Sequence, residues 1–356
     1  DLGTCPTCKD AGTCPDGAPC APCKDAGTCP DAAPCAKCPD AGPCPKCPDM
    51  SVAKPDSSAP GGFSSITWTT LPNMAEAHAE GAAILHNGKL WVLGPFGAAT
   101  AGPQREVFDF TTQKWTAMAV LPSGFYNDMG MRVAGLIGDD IYVTNGHIWY
   151  APYTDTYAFN TVARTWTKKK VYPLTTGKSC AAVMGGKLWV MGGQNPINSS
   201  TTISDMYVYD PTGDTWIKKA SMATKRADLG CAMVSGKLYA AGGYTSYNQG
   251  ITTLEGYDPT SNTWTTLAPM PNGVYEAGNS PMAIKGRLVV IGGVGANNTH
   301  TADVQVYNPG TNSWSKSTPI KNARGAHAVV AEGSKIYVIG GYGGGWRKDV
   351  EVGTVQ

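Results

Sequence analysis

KLWVMGG (187–193) followed by YVYDPTGDTW (207–216) decides the fold. The first segment is a short apolar run of aromatic and branched side chains that stops at two glycines. A run of this length bounded by turn residues reads as a buried β-strand. The second segment is another such run, broken by Asp-Pro-Thr-Gly-Asp and resumed at Trp216. Asp, Pro and Gly in that order supply turn chemistry, so two strands are joined by a tight turn. The glycine pair permits backbone geometry that a Cβ would hinder.

Both signatures recur outward from this stretch. Tryptophans stand at 68, 115, 166, 216, 264 and 314, in steps of 47, 51, 50, 48 and 50 residues. Ahead of the others lie VFDFTTQKW (107–115), YAFNTVARTW (157–166), EGYDPTSNTW (255–264) and QVYNPGTNSW (305–314). The strand that meets a small pair returns as KLWVLGP (89–95), IYVTNG (141–146), KLYAAGG (237–243), RLVVIGG (287–293) and KIYVIGG (335–341). A repeat near 50 residues that cannot bury its apolar face alone must stack on copies of itself.

In these motifs the chain resembles the kelch family, whose repeat of about 50 residues builds one four-stranded propeller blade. The resemblance covers residues 62–356 and implies an all-β, six-bladed β-propeller. Trp68 lacks the Tyr-Asp-Pro turn, and the last repeat ends at DVEVGTV (349–355) without a turn or tryptophan. The two ends complement each other. Phe63–Thr69 is therefore expected to supply the outermost strand of the blade begun by residues 324–355, closing the ring and removing an exposed edge.

Composition agrees. Charged residues are 15% of the chain against the roughly 25% of ordinary domains, and there are 44 glycines and 26 prolines. A net charge of +1 offers no electrostatic footprint for nucleic acid. No apolar run approaches the roughly 20 residues that span a bilayer, so no membrane insertion is expected. No basic-then-apolar leader opens the chain, so Asp1 is read as a processed N-terminus.

Residues 1–50 are a different repeat, of 15 residues: CPTCKDAGTCPDGAP (5–19), CAPCKDAGTCPDAAP (20–34) and CAKCPDAGPCP (35–45). Its cysteines are Cys5, Cys8, Cys14, Cys20, Cys23, Cys29, Cys35, Cys38, Cys44 and Cys47, ten of the twelve in the chain. Every spacing is 3 or 6, the period of polyproline II, which would line the cysteines along one face of an extended tail. Neighbours on one such helix stand about 9 Å apart along its axis, too far for a disulfide. A second strand must face them, from a fold-back or from another subunit; the regular period favours another subunit. Thiolate metal binding and a reduced flexible spacer are the competing readings. Haem attachment lacks its histidine, and collagen lacks glycine at every third residue. The cysteine density points to an extracellular or cell-surface protein. Residues 51–61 form a linker. Sequons at Asn198 and Asn297 are candidate glycosylation sites.

In the kelch family, function usually sits on loops around the channel mouth. That implies a ligand-binding face built from His78, Glu80, Tyr126, Asn127, Arg226, Asp228, Tyr275, Glu276, Arg324 and His327, with Lys178 beside them; hydrogen bonding to loop backbone is the plainer role. Some members are copper oxidases or sugar epimerases. The histidines at 78, 86, 147, 300 and 327 show no metal-site spacing, so no catalytic residue, metal or cofactor is expected. Cys180 and Cys231, one residue out of register in adjacent repeats, read as buried free thiols, with a disulfide as the alternative. The resulting expectation is a filament or surface assembly that self-associates through tail disulfides and displays propellers toward a glycan or protein ligand. A monomeric binding propeller on a stiff stalk and a sugar-modifying enzyme are the alternatives.

Overall fold

The computed structural model describes residues 63, 65–93, 105–118, 133–144, 146–148, 151–195, 201–246, 249–277 and 282–356. The chain divides into Asp1–Ala53 and Lys54–Gln356. The cysteine-rich repeat, the linker, Tyr126, Asn127 and Asn198 lie outside the described residues; Asn297 is exposed in the short 3-10 helix Ala296–Asn298.

Six four-stranded antiparallel sheets form the blades. Blade 1 runs outward from Ala82–His86 through Lys89–Leu93 and Arg105–Asp109 to Lys114–Ala117. Blades 2 to 5 begin at Val133–Ile137, Cys180–Met184, Gly230–Val234 and Met282–Ile284. Blade 6 begins at Ala328–Glu332 and continues through Lys335–Ile339 to Val350–Val355. Its fourth strand is Ile66–Thr70, which pairs with the C-terminal strand from Ile66 opposite Val355 to Thr70 opposite Glu351. The expected closure of the ring by its own N-terminal strand is thus observed.

The innermost strands touch one another in a closed circle and surround a channel of about 320 Å³, lined by small and apolar side chains. The second strand of each blade is buried almost throughout, Leu90–Leu93 and Leu188–Met191 among them, because both its faces meet neighbouring strands and blades.

The repeat residues each have a mechanical task. Asp109, Asn160, Asp210, Asp258 and Asn308 accept backbone N–H groups two residues on, which makes the turn. Directly across that turn, Phe108–Trp115, Tyr209–Trp216, Tyr257–Trp264 and Tyr307–Trp314 pair with ring centroids 5.1–5.2 Å apart. The indoles then reach the lead-in to their own blade or the adjoining blade: Trp216 donates to the Lys170 carbonyl, Trp264 to Ala220 and Trp314 to Ala268, at 2.8–3.0 Å. The glycine pairs stitch blades together as well. Gly193, Gly243, Gly293 and Gly341 donate to carbonyls of Arg226, Val274, Arg324 and His78 in the next lead-in segment. A Cβ on Gly192, at φ +63°, would stand 2.8 Å from the Arg226 carbonyl oxygen.

Candidate functional site at the channel mouth

Among the described residues, the innermost strands of blades 1, 3, 4, 5 and 6 are approached through lead-in segments at the mouth of the channel. In three blades a base in that segment is buried against an acid on the third strand. Arg226 Nη2 lies 2.8 Å from Glu255 Oε1, with neither side chain exposed. Arg324 Nη2 pairs with Glu351 in blade 6 and with Asp349 at 2.6 Å. His78 Nε2 lies 2.9 Å from Glu106. The same acids also accept backbone N–H groups of the lead-in: Glu106 from Ala75 and Glu76, Glu255 from Ala223 and Thr224, Glu351 from Lys321 and Asn322. Burial pushes the Glu106 carboxyl up, but the His78 bond and these N–H groups outweigh it and hold it below its ordinary range. Blade 5 uses a neutral version, with Val274 in the lead-in and Gln305 exchanging hydrogen bonds with the Asn272 backbone.

His78, Arg226 and Arg324 are therefore brought to the lead-ins but turned into the blades, where they brace the fold. His327 is also buried, and desolvation lowers its imidazole to about 3, so it is neutral at ordinary pH. Tyr275 is buried, donates to Asn298 Oδ1 at 2.7 Å, and packs edge-on against Tyr244 at 5.6 Å.

The remaining candidates do converge on the channel. Glu80, Lys178, Asp228 and Glu276, with Ala326, occupy equivalent places, and all have positive φ between 49° and 59°. Four of the described lead-ins each hand a neighbour a hydrogen bond. Asp228 N–H donates to the Lys178 carbonyl, Glu276 to Asp228, Ala326 to Glu276 and Glu80 to Ala326, at 2.6–3.1 Å. This belt forces residues other than glycine into the left-handed region, where strain is tolerated only under strong surrounding constraint. Its consequence is that four charged side chains share one ring.

Their electrostatics are uneven. Lys178 Nζ lies 3.2 Å from Asp228 Oδ2 and donates to Tyr244 Oη at 3.1 Å. Burial pulls the ammonium down, but Asp228 and Tyr244 outweigh it, so Lys178 stays charged. The carboxyls of Glu80 and Glu276 have no hydrogen-bond or ion-pair partner among the described residues. Burial, then the nearby Asp228 charge, raises Glu80 to about 7; burial, Asp228 and Glu80 raise Glu276 as well. Carboxyls with raised native pKa bind more protons folded than unfolded, so stability falls as pH rises from about 4.5 toward 8. Glu276→Gln removes one such penalty. It is expected to stabilise the protein by about 1–3 kcal/mol more at pH 9 than at pH 5 in urea unfolding. An equal effect at both pH values would place the carboxyl in solvent.

One expectation is corrected beside this ring. Cys180 and Cys231 are joined as a disulfide with Cα atoms 5.9 Å apart, linking the innermost strands of blades 3 and 4. Cys180 opposes Met191 and Cys231 opposes Ala240, so the one-residue offset turns the two side chains to opposite faces of equivalent strands and brings the sulfurs together between blades 3 and 4. Among the described residues, no three His, Cys, Asp or Glu side chains are grouped to hold a metal ion.

Residues 169–341 match the family model for the KLHDC2/KLHL20/DRC7 Kelch-repeats domain. The solved structure of YjhT superposes with a TM-score of 0.67 at 18% identity, covering 80% of this chain and 95% of that one. This is a kelch-type propeller. No curated protein matched the chain.

Within the kelch frame, sequence reading located the ring residues but missed the acids that claim the buried bases. The signal was present: Glu106, Glu255, Gln305 and Glu351 hold the same place in their third strands, REV, LEG, VQV and VEV. A charged residue recurring in a buried strand implies a buried counter-charge.

Proposed function

We propose that this chain is an extracellular recognition protein, whose kelch propeller takes a polar ligand at the channel mouth and whose cysteine-rich segment joins copies into a filament or surface assembly. The observation that carries the recognition half is the pair of half-buried carboxyls, Glu80 and Glu276, which the fold desolvates without supplying partners. Partly desolvated carboxyls that still reach the channel mouth suit a ligand that donates hydrogen bonds. Hydroxyls of a glycan or ammonium and amide groups of a protein would meet them, beside the Lys178–Asp228 pair. The Cys180–Cys231 bond supports an oxidising location, where the tail cysteines would also pair.

Two experiments test the halves separately. Full-length protein is applied to a printed glycan array and to a peptide array, alongside Glu80→Gln/Glu276→Gln. Binding that the double variant loses, with an unchanged fold, supports the mouth as the site; binding that it keeps removes the mouth from the proposal. Electrophoresis with and without reductant addresses the tail. A ladder of multimers that collapses on reduction is expected, whereas a monomer in both lanes excludes disulfide polymerisation. Tightly held zinc or copper at several ions per chain would replace disulfides with thiolate ligation.

One observation favours a second reading. A carboxyl at about 7 beside a lysine is poised for proton transfer, which a sugar-modifying enzyme would use. A turnover screen on wild type and Glu80→Gln separates catalysis from binding.

A further inference from the structure

The hairpin that follows the glycine pair differs among blades. In blades 4 and 5 the residue after the pair bridges to a partner six positions on, Tyr244 to Gly250 and Val294 to His300. In blade 6 the bridge is Tyr342 to Trp346, four positions on, across Gly343-Gly344-Gly345. The shortened hairpin is fixed rather than loose. Arg347 N–H donates to the Gly341 carbonyl at 3.0 Å, and Gly343 N–H to Gly345 at 3.2 Å. Gly343 lies so close to the Ala323 carbonyl that a side chain would collide with it.

This arrangement puts a tryptophan where blades 4 and 5 carry Gly250 and His300, and leaves part of its ring exposed. Trp346 is 40% exposed and Tyr342 is 39% exposed. The two exposed rings meet edge-on at 5.3 Å, and Tyr342 also faces His300 at 5.5 Å. The aromatic surface starts near Glu276, since both the Glu276 carboxylate and His300 flank Gly325. It ends at a cleft of about 500 Å³ beside the hairpin, lined by Trp346, Arg347, Asn73 and Asn322.

We propose that this blade 6 cleft is a saccharide-binding site, with Trp346 as the stacking platform. An indole face is apolar and electron-rich and complements the C–H face of a pyranose ring. Ring hydroxyls both donate and accept, and Asn73, Asn322 and Arg347 line the same cleft, Asn322 also donating from Nδ2 to Glu351 at 3.3 Å. Arg347 spends only Nε on Asp349, at 2.8 Å. The volume fits one or two sugar rings and falls in the range of small-ligand sites. A protein partner would need more than about 1,000 Å² with an apolar centre, which a polar cleft with one aromatic wall does not supply. The site is distinct from the mouth and goes beyond the reading above.

The test uses full-length protein on a printed array of defined mono- and oligosaccharides, followed by titration of the best soluble hit. Trp346→Ala is expected to weaken binding at least fivefold, and Trp346→Phe to recover most of it, with the unfolding midpoint unchanged. Asn73→Ala, in a separate exposed segment, should weaken the same hit. If no saccharide binds wild type, or Trp346→Ala weakens the hit less than fivefold, the proposal is overturned. If Glu80→Gln/Glu276→Gln abolishes binding while Trp346→Ala does not, the ligand sits at the mouth; the cleft proposal then falls while the recognition reading stands.

Discussion

Replacing Glu255 by alanine is expected to lower the unfolding free energy by about 3–5 kcal/mol, the range for stranding a buried charge. Arg226 and Glu255 are both fully buried, and among the described residues Glu255 is the one ion-pair partner of the guanidinium. Burial already lowers Arg226 to about 10, with Glu255 alone pushing it back. Glu255→Ala also strips the acceptor from the Ala223 and Thr224 N–H groups, so the lead-in loosens as well. Blade 5 shows how the site can work without charge. The double substitution Arg226→Val/Glu255→Gln reproduces its Val274 and Gln305 and should recover most of the loss. Urea unfolding of the two variants decides the matter. A single variant as stable as wild type, or a double variant no better than the single, would show that charge pairing is not what holds the lead-in.

The second large effect is expected at Cys180 and Cys231. They are separated by 51 residues, and a loop of that size constrains the unfolded chain by about 4 kcal/mol in the chain-entropy model. Cys180→Ala/Cys231→Ala should lose about 2–4 kcal/mol, the typical range. The loss should vanish when both proteins are compared under strong reductant. The bond ties the innermost strands of two blades, so it also holds the channel wall. Equal stability of variant and wild type without reductant would mean that these sulfurs are not bonded in solution.

Legibility differed between fold and site for a physical reason. Blade number, strand order and ring closure were readable because they follow from local signals repeated six times. A strand ending at Gly-Gly and a turn built on Asp210 or Asp258 require only neighbours in sequence. The missing turn before Trp68 and the missing fourth strand after Val355 were likewise local absences, and together they implied the closure now seen between Ile66 and Val355. The ring of Glu80, Lys178, Asp228 and Glu276 was readable as a set, since these residues recur at one place in the repeat. Their fates were not. Arg226 and Asp228 are two positions apart, yet one is sealed against Glu255 and the other faces Lys178 across the mouth.

What the sequence determined by itself was therefore the periodic part: an all-β repeat, six blades, the closing strand and the tasks of glycine and tryptophan in each blade. What only the tertiary structure decided was which charges are paired, which are left over, that Cys180 meets Cys231, and that Trp346 packs on Tyr342 with part of its ring exposed. Periodicity acts through bonds between near neighbours, and composition records it directly. Pairing of side chains 25 to 51 residues apart depends on how the strands of a blade fold back, as in Arg324 with Asp349, or on the curvature with which one blade is set against the next, as in Cys180 with Cys231. That curvature emerges only when the ring closes.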